Sequence, residues 1–149
     1  MTVIDELVRN ADSYGESFSS GDLPLPPVKR VAVVVHEGDA HVIRNAGGVI
    51  TDDEIRSLSI SQRLLGTEEI MLIHHTDCGM LKVSNEEFHQ LLEAESGERP
   101  DWHTMSFSDL EGSVRNSIER IKASPFIPRT DAVRGFIYDV HSGLLEEVR

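Results

Sequence analysis

The segment His75-Thr76-Asp77-Cys78 holds the residues of this 149-residue chain best suited to chemistry. An imidazole and a thiolate together favour zinc, and the two-residue spacer lets one tight turn direct both side chains at a single ion. An apolar stretch at 70–73 precedes them, so they follow a predicted buried strand, at the end where ligands bind in open α/β sheets. His75 and Cys78 are therefore the candidate metal ligands, and Zn²⁺ is the candidate cofactor.

Two ligands alone do not hold a zinc ion, because catalytic zinc sites use three protein ligands and structural sites use four. The same residues also suit a polar histidine beside a buried structural thiol. In a third interpretation, Cys78 is a nucleophile and His75 is its base. Cys78 is the only cysteine, which excludes an intrachain disulfide.

The other polar residues that could take part in a site have simpler interpretations. His41 and His74 could support the ligands or lie on the surface, and for both we prefer a structural interpretation, whereas we expect solvated side chains for His89, His103 and His141. Asp77 is expected to form a turn. Gly47-Gly48 is expected to form a tight loop before a helix cap at Thr51, because its length and spacing do not suit a phosphate-binding loop.

Composition excludes several classes of partner. The chain carries 26 acidic and 14 basic residues, a formal net charge of -12, which repels nucleic acid and anionic membrane surfaces. The longest apolar run, 31–35, is far shorter than the roughly 20 residues of a spanning helix, and the first residues lack the order of a signal peptide. We therefore expect a cytoplasmic protein with no nucleic-acid or membrane partner.

Periodicity predicts an α/β fold in which helices flank a mostly parallel central sheet. Strands are predicted at 31–35, 40–44, 69–74 and 135–140, and the first is a valine-rich run typical of a strand buried on both faces. Capping boxes predict helices that begin after Thr51, Ser84 and Ser108. The alternation of strands with helices indicates a sheet with helical cover.

The N-terminal region predicts a helical arm. Apolar residues recur at helical spacing at Ile4, Leu7, Val8 and Ala11, and a proline-rich stretch follows at 24–27. We therefore divide the chain into an arm and linker, 1–28, and an α/β domain, 29–149. An isolated apolar stripe must pack on its own domain or on a second subunit, and we expect a homodimer or larger homo-oligomer.

Several segments closely resemble the β-class carbonic anhydrases. The matching segments are 40–48, 51–53, 56–58, 61–67, 74–80 and 134–140. The resemblance covers nearly the whole chain from Lys29 onward. It implies an α/β domain around a mostly parallel sheet, an N-terminal arm between subunits, and zinc-dependent reversible hydration of carbon dioxide to bicarbonate. By position, His75 and Cys78 match two of the three protein ligands to zinc.

The sequence departs from this family between Val35 and His36. The family places a Cys-Met-Asp-Ala-Arg-like motif directly after its first strand. That cysteine is the third zinc ligand, and the Asp and Arg form a pair that orients the fourth. Here the motif and the following crossover helix are absent. A parallel connection needs about a dozen residues, so the first crossover is missing or shortened. Either this sequence omits a segment, or a natural or engineered deletion has removed it.

His36 has two interpretations. It lies in register with the missing cysteine, so it could complete a site of two histidines and one cysteine. It also resembles the family's approach to the second strand, which places it on a solvated loop, and we prefer this interpretation. The expected function is carbon dioxide hydration, impaired if the ligand segment is absent. The alternative is a catalytically inactive relative that serves as a structural or interaction subunit.

Overall fold

The computed structural model describes residues 2–16 and 40–149. The predicted strand 31–35, His36 and the boundary at 28/29 lie outside these ranges and stay predictions. The elements are α1 (Val3–Glu16), α2 (Asp52–Leu64), β1 (Ile70–His75), α3 (Asn85–Ser96), α4 (Leu110–Ala123), β2 (Val133–Tyr138) and β3 (Leu145–Val148), with 3₁₀ turns at Ala46–Gly48 and Gly79–Leu81. Within these ranges, no helix combines the length and apolar character needed to cross a membrane.

The helices begin where local side chains satisfy their first backbone N–H groups. Thr51 and Glu54 form the predicted capping box at α2, and Ser84 caps α3 as predicted. Helix α4 begins one residue later than expected, because Asp109 rather than Ser108 is its N-cap. A carboxylate accepts these N–H bonds as well as a hydroxyl does and also favours the positive end of the helix dipole.

The described sheet has the order β1-β2-β3. Strand β1 pairs in parallel with β2, from Ile70 opposite Val133 to His75 opposite Tyr138. Strand β3 returns antiparallel to β2. The parallel ladder has six residue pairs and the antiparallel one four, so parallel pairing predominates in this mixed sheet. The predicted α/β fold class is confirmed.

The strand predicted at 40–44 is wrong. Residues 41–45 form no strand, and the chain enters the turn Ala46–Gly48 directly after them. A strand requires a partner for its backbone groups, and the ladders of the described sheet involve only β1, β2 and β3. The local sequence at 40–44 is therefore not sufficient to form a strand there.

Helix α4 covers one face of the sheet directly. The buried core cluster consists of Ile50, Ile55, Ile70, Leu72, Ile121, Ile127 and Val133. Val114 of α4 is also fully buried. Gly135 of β2 lies so close to α4 that a β-carbon there would meet the side chains of Val114 and Ile118. The glycine thus allows the helix to approach the strand backbone.

Helix α1 docks on the opposite face of the sheet, since adjacent residues of β2 point to opposite faces. Ile4 is buried, and the first backbone N–H groups of α1 donate to the Glu69 carboxylate at 3.1 and 3.2 Å. Arg134 donates to Asp5 and to both oxygens of Glu147, each at 2.8 Å. The arginine lowers the pKa of Glu147 by stabilising its carboxylate. The arm is therefore anchored to its own domain at its N-terminal end.

One flank of α1 keeps an exposed apolar surface. Val3 and Leu7 share this flank of the helix and remain exposed. Val8 and Ala11 are half-buried beside Ile4. The predicted stripe is thus divided, because its own domain covers Ile4 and leaves Leu7 exposed.

We predict that Gly135→Ala destabilises the fold by about 1–3 kcal/mol, the usual range for overpacking a tight interior. The added carbon would lie 2.8 Å from Ile118 Cδ1 and nearer still to Val114 Cγ1, so α4 would have to move away from β2. Urea denaturation followed by circular dichroism measures the change. Gly79→Ala is the control, because no heavy atom lies within 4 Å of its added carbon. Equal losses in the two variants would contradict direct packing of α4 on Gly135.

Candidate metal centre

One turn after β1 carries both candidate ligands. β1 ends at His75, Asp77 adopts a left-handed φ of 53°, and Cys78 precedes the 3₁₀ turn Gly79–Leu81. Aspartate tolerates this backbone region better than most residues, which confirms Asp77 as a turn residue. Cys78 is only 5% exposed, whereas His75 is half-buried. The strand end and the turn therefore hold an imidazole and a shielded thiol close together along the chain.

The ring of His75 has a defined hydrogen-bonding arrangement. Its Nδ1 lies 2.7 Å from the carbonyl oxygen of Thr76. A carbonyl oxygen can only accept, so Nδ1 carries a proton, and in the neutral ring Nε2 then keeps its lone pair. Histidines that bind metals commonly donate their other ring N–H to a carbonyl in this way. His75 is thus prepared to act as a ligand through Nε2.

The donor types fit zinc, but the described set is too small. An imidazole nitrogen and a thiolate are typical zinc donors. Among residues 2–16 and 40–149, no group of three or more His, Cys, Asp or Glu side chains could hold a metal ion. As zinc ligands, His75 and Cys78 would supply two donors, and a third would have to come from outside this described set.

The ligand turn is also bonded to the hairpin that joins β2 to β3. Thr76 donates its backbone N–H to Tyr138 O at 2.9 Å, and its hydroxyl accepts the Val140 N–H at 3.0 Å. Asp77 Oδ2 lies 2.7 Å from His141 Nε2. Of these residues, Thr76 was not a sequence candidate, because its partners lie more than sixty positions away.

His74 is a core residue and not a ligand on the surface. Its side chain is 1% exposed, its ring lies 5.8 Å from that of Phe107, and its Nε2–H donates to Gly48 O at 2.9 Å. Burial lowers the pKa of His74, because the imidazolium loses hydration, and the neighbouring His75 adds to this effect. The structural interpretation of His74 thus agrees with its position.

The predicted tight loop at Gly47-Gly48 is confirmed. Both glycines have positive φ, 82° and 67°. A β-carbon on Gly48 would lie 2.9 Å from His74 Cδ2 and 3.0 Å from Ile73 O. The loop therefore packs its backbone against the end of β1, one residue before the candidate ligand His75.

The remaining histidines differ from one another. His89 was expected to be solvated, but it is buried and its ring meets Trp102 edge-on at 5.8 Å. That expectation is wrong, because α3 turns this residue inward. His103 is exposed as expected, and His41 is half-buried. His141 is exposed but pairs with Asp77.

A separate cavity of about 940 Å³ lies beside α4. Its walls come mainly from α4 and from the preceding segment 103–109. Neither His75 nor Cys78 lines it. The cavity is therefore distinct from the candidate metal turn.

Comparison with known proteins identifies close relatives along the whole chain. The chain is 47% identical to Beta-carbonic anhydrase 1 of Mycobacterium tuberculosis, over 99% of each protein. It is 32% identical to a carbon disulfide hydrolase of Acidithiobacillus thiooxidans, over 83% of this chain and 71% of that protein. A solved carbonic anhydrase of Streptococcus mutans has a TM-score of 0.71 and 38% identity, over 100% of this chain and 99% of the other. No family model matches the chain.

The mycobacterial match also contains a difference in length. The alignment spans 162 positions, whereas the chain has 149 residues, so at least 13 positions of the alignment have no residue of this chain. A parallel connection needs about a dozen residues, so the difference is large enough to contain the absent crossover. Its location between Val35 and His36 stays a prediction from the sequence.

The resemblance inferred from short segments thus extends over the whole length of a relative, and the solved fold agrees with it. Identity of 47% over 99% of both proteins is far too extensive to result from a shared fold alone. On these grounds the chain belongs to the β-carbonic anhydrase family.

Proposed function

We propose that this protein catalyses the zinc-dependent, reversible hydration of carbon dioxide to bicarbonate, with activity impaired if the ligand segment after Val35 is truly absent. The observation that carries the proposal is the hydrogen bond from His75 Nδ1 to Thr76 O, which leaves Nε2 available three positions before Cys78. Family membership supports the choice of reaction. Family membership does not by itself identify the third zinc ligand in this chain.

His75 Nε2 and Cys78 Sγ would hold the zinc ion. When bound, zinc supplies a Lewis acid that activates water near neutral pH. The protein contributes a fixed histidine tautomer and a thiol shielded from bulk water by burial. With two donors, the affinity and the geometry of the remaining positions depend on a further ligand, for which His36 is the candidate within the chain.

The alternative is a catalytically inactive relative that serves as a structural or interaction subunit. The specific observation in its favour is the absence of a three-ligand group in the described ranges 2–16 and 40–149. The α/β body and the docked helix α1 would persist in such a protein, since the backbone ladder of β1 with β2 and the bonds of Glu69 and Arg134 to α1 do not involve the ligand side chains.

We predict that Cys78→Ser abolishes stoichiometric zinc binding, because a hydroxyl does not replace a thiolate donor and His75 alone cannot position the ion. Metal content after dialysis against chelator-treated buffer measures the effect. His103→Ala is the matched control, since it removes an exposed imidazole outside the turn and should leave the metal content unchanged. Retention of one zinc per chain in Cys78→Ser would refute the assignment of Cys78.

We predict that zinc-loaded protein hydrates carbon dioxide at least about 100-fold more slowly than an intact relative, because losing a ligand should cost no less than the 10- to 100-fold effects of its supporting partners. Stopped-flow assays test this, with carbon disulfide as a second substrate because a relative is named for its hydrolysis. Turnover close to that of the mycobacterial relative would contradict the prediction. Weak turnover that disappears in His36→Ala would identify His36 as the third ligand.

We also propose that the protein forms a homodimer or larger homo-oligomer through the exposed flank of α1. Val3 and Leu7 are exposed there, and Ile73 of β1, on the sheet face that α1 partly covers, is 49% exposed. A second copy could cover this apolar surface without disturbing the anchoring of Asp5 to Arg134.

Accordingly, Leu7→Glu should shift the protein toward monomer, because it places a charge in the proposed apolar contact. Light scattering across micromolar concentrations measures the mass. Asp12→Asn is the control, as it alters an exposed residue on another side of the same helix. A monomeric mass for the unaltered protein would refute the proposal.

The proposed location is the cytoplasm. Cys78 is the only cysteine, and a reducing compartment keeps its thiol available as a ligand.

A further inference from the structure

Thr76 makes hydrogen bonds in two directions from a position between the candidate ligands. Its carbonyl oxygen accepts the Nδ1–H of His75 at 2.7 Å. Its own N–H donates to Tyr138 O at 2.9 Å, which extends the β1–β2 bonding one residue beyond β1. The carbonyl that sets the His75 tautomer thus belongs to a residue anchored on the neighbouring strand.

The hydroxyl of Thr76 adds a second anchor. Oγ1 accepts the Val140 N–H at 3.0 Å and donates to Asp139 Oδ1 over a longer distance of 3.4 Å. The same Asp139 oxygen accepts the His141 N–H at 2.8 Å. Backbone bonds between Asp139 and Leu144 close the hairpin, so its polar groups are themselves held in place. Thr76 therefore fits a preformed turn at 139–144.

Asp77 provides a parallel connection to the same hairpin. Its Oδ2 lies 2.7 Å from His141 Nε2, and its left-handed φ turns the chain from His75 toward Cys78. Both residues of the spacer between the candidate ligands are therefore bonded to the segment 138–141.

We propose that Thr76 is a positioning residue of the metal centre, whose hydroxyl, held by the hairpin 139–144, fixes the carbonyl that selects the His75 tautomer. The part that concerns metal binding rests on the proposed function. The part that concerns the tautomer does not, because it rests on the hydrogen bonds of His75 and Thr76 alone.

Two substitutions at Thr76 separate positioning from shape. Thr76→Val keeps the branched shape and removes the hydroxyl, which leaves the Val140 N–H without its acceptor. Thr76→Ser keeps the hydroxyl and removes only a methyl group. A role in positioning therefore requires that serine restores what valine loses.

The first measurement uses metal-free protein, with the ring nitrogens of His75 observed by ¹⁵N NMR at alkaline pH. The unaltered protein and Thr76→Ser should contain the Nδ1–H tautomer, and Thr76→Val should contain a mixture with the Nε2–H form. An unchanged tautomer in Thr76→Val would overturn the proposal. If that variant does not fold, the same measurement is made with variants of Asp139, which accepts from the Thr76 hydroxyl. Asp139→Ala should then contain the mixture of tautomers, and Asp139→Asn should keep the Nδ1–H form.

The second measurement is zinc affinity by competition with a chelator, together with the visible spectrum of the cobalt-substituted protein. Thr76→Val should bind zinc at least about 10-fold more weakly, the lower end for partners of a metal ligand, and Thr76→Ser should match the unaltered protein. If Thr76→Val has the zinc affinity and the cobalt spectrum of the unaltered protein, Thr76 has no positioning role. That result would leave the proposed zinc site itself unaffected. If the unaltered protein binds no zinc, the proposed function fails, and the tautomer measurement alone decides the role of Thr76.

Discussion

The structure depends on the parallel ladder between β1 and β2. This ladder joins two segments that are distant along the chain, from Ile70 opposite Val133 to His75 opposite Tyr138. Helix α4 covers one face at Gly135, and α1 is anchored on the other at Arg134. Because parallel strands end at the same edge, the ladder also brings the turn after β1 beside the hairpin after β2. The candidate metal centre is built at that edge.

Local signals in the sequence predicted the parts of this fold that are formed locally. The capping box of Thr51 and Glu54 involves residues three positions apart, and the start of α2 follows from it directly. The strand predicted at 40–44 required a partner that the local sequence cannot reveal, and the structure has no strand there. The expectation that His89 is solvated was wrong for a similar reason. Helical position alone does not determine which side of α3 meets Trp102.

The candidate site was predictable to the same extent. His75 and Cys78 are neighbours in sequence, so one turn is enough to associate them. The tautomer of His75 depends on the orientation of a carbonyl, and the anchoring of Thr76 depends on Val140, which lies 64 positions away. Neither feature has a local pattern. The close approach of Gly48 to His74 likewise could not be predicted without the fold, although the paired glycines indicated a tight loop.

This division between local and distant contacts also bears on the connection after Val35, where the sequence predicts a missing or shortened crossover. The contacts that shape the ligand turn come from β1, from the loop at Gly47-Gly48 and from the hairpin 139–144. These contacts all lie within the described residues 2–16 and 40–149, whereas the sequence predicts that the family's third ligand would follow Val35. We therefore expect the turn to keep its geometry whichever residues connect Val35 to His36. Catalytic activity, in contrast, would depend on the connection between Val35 and His36, because zinc must be held from more than one strand. A β-carbonic anhydrase chain altered at this point would lose chemistry before it loses its fold.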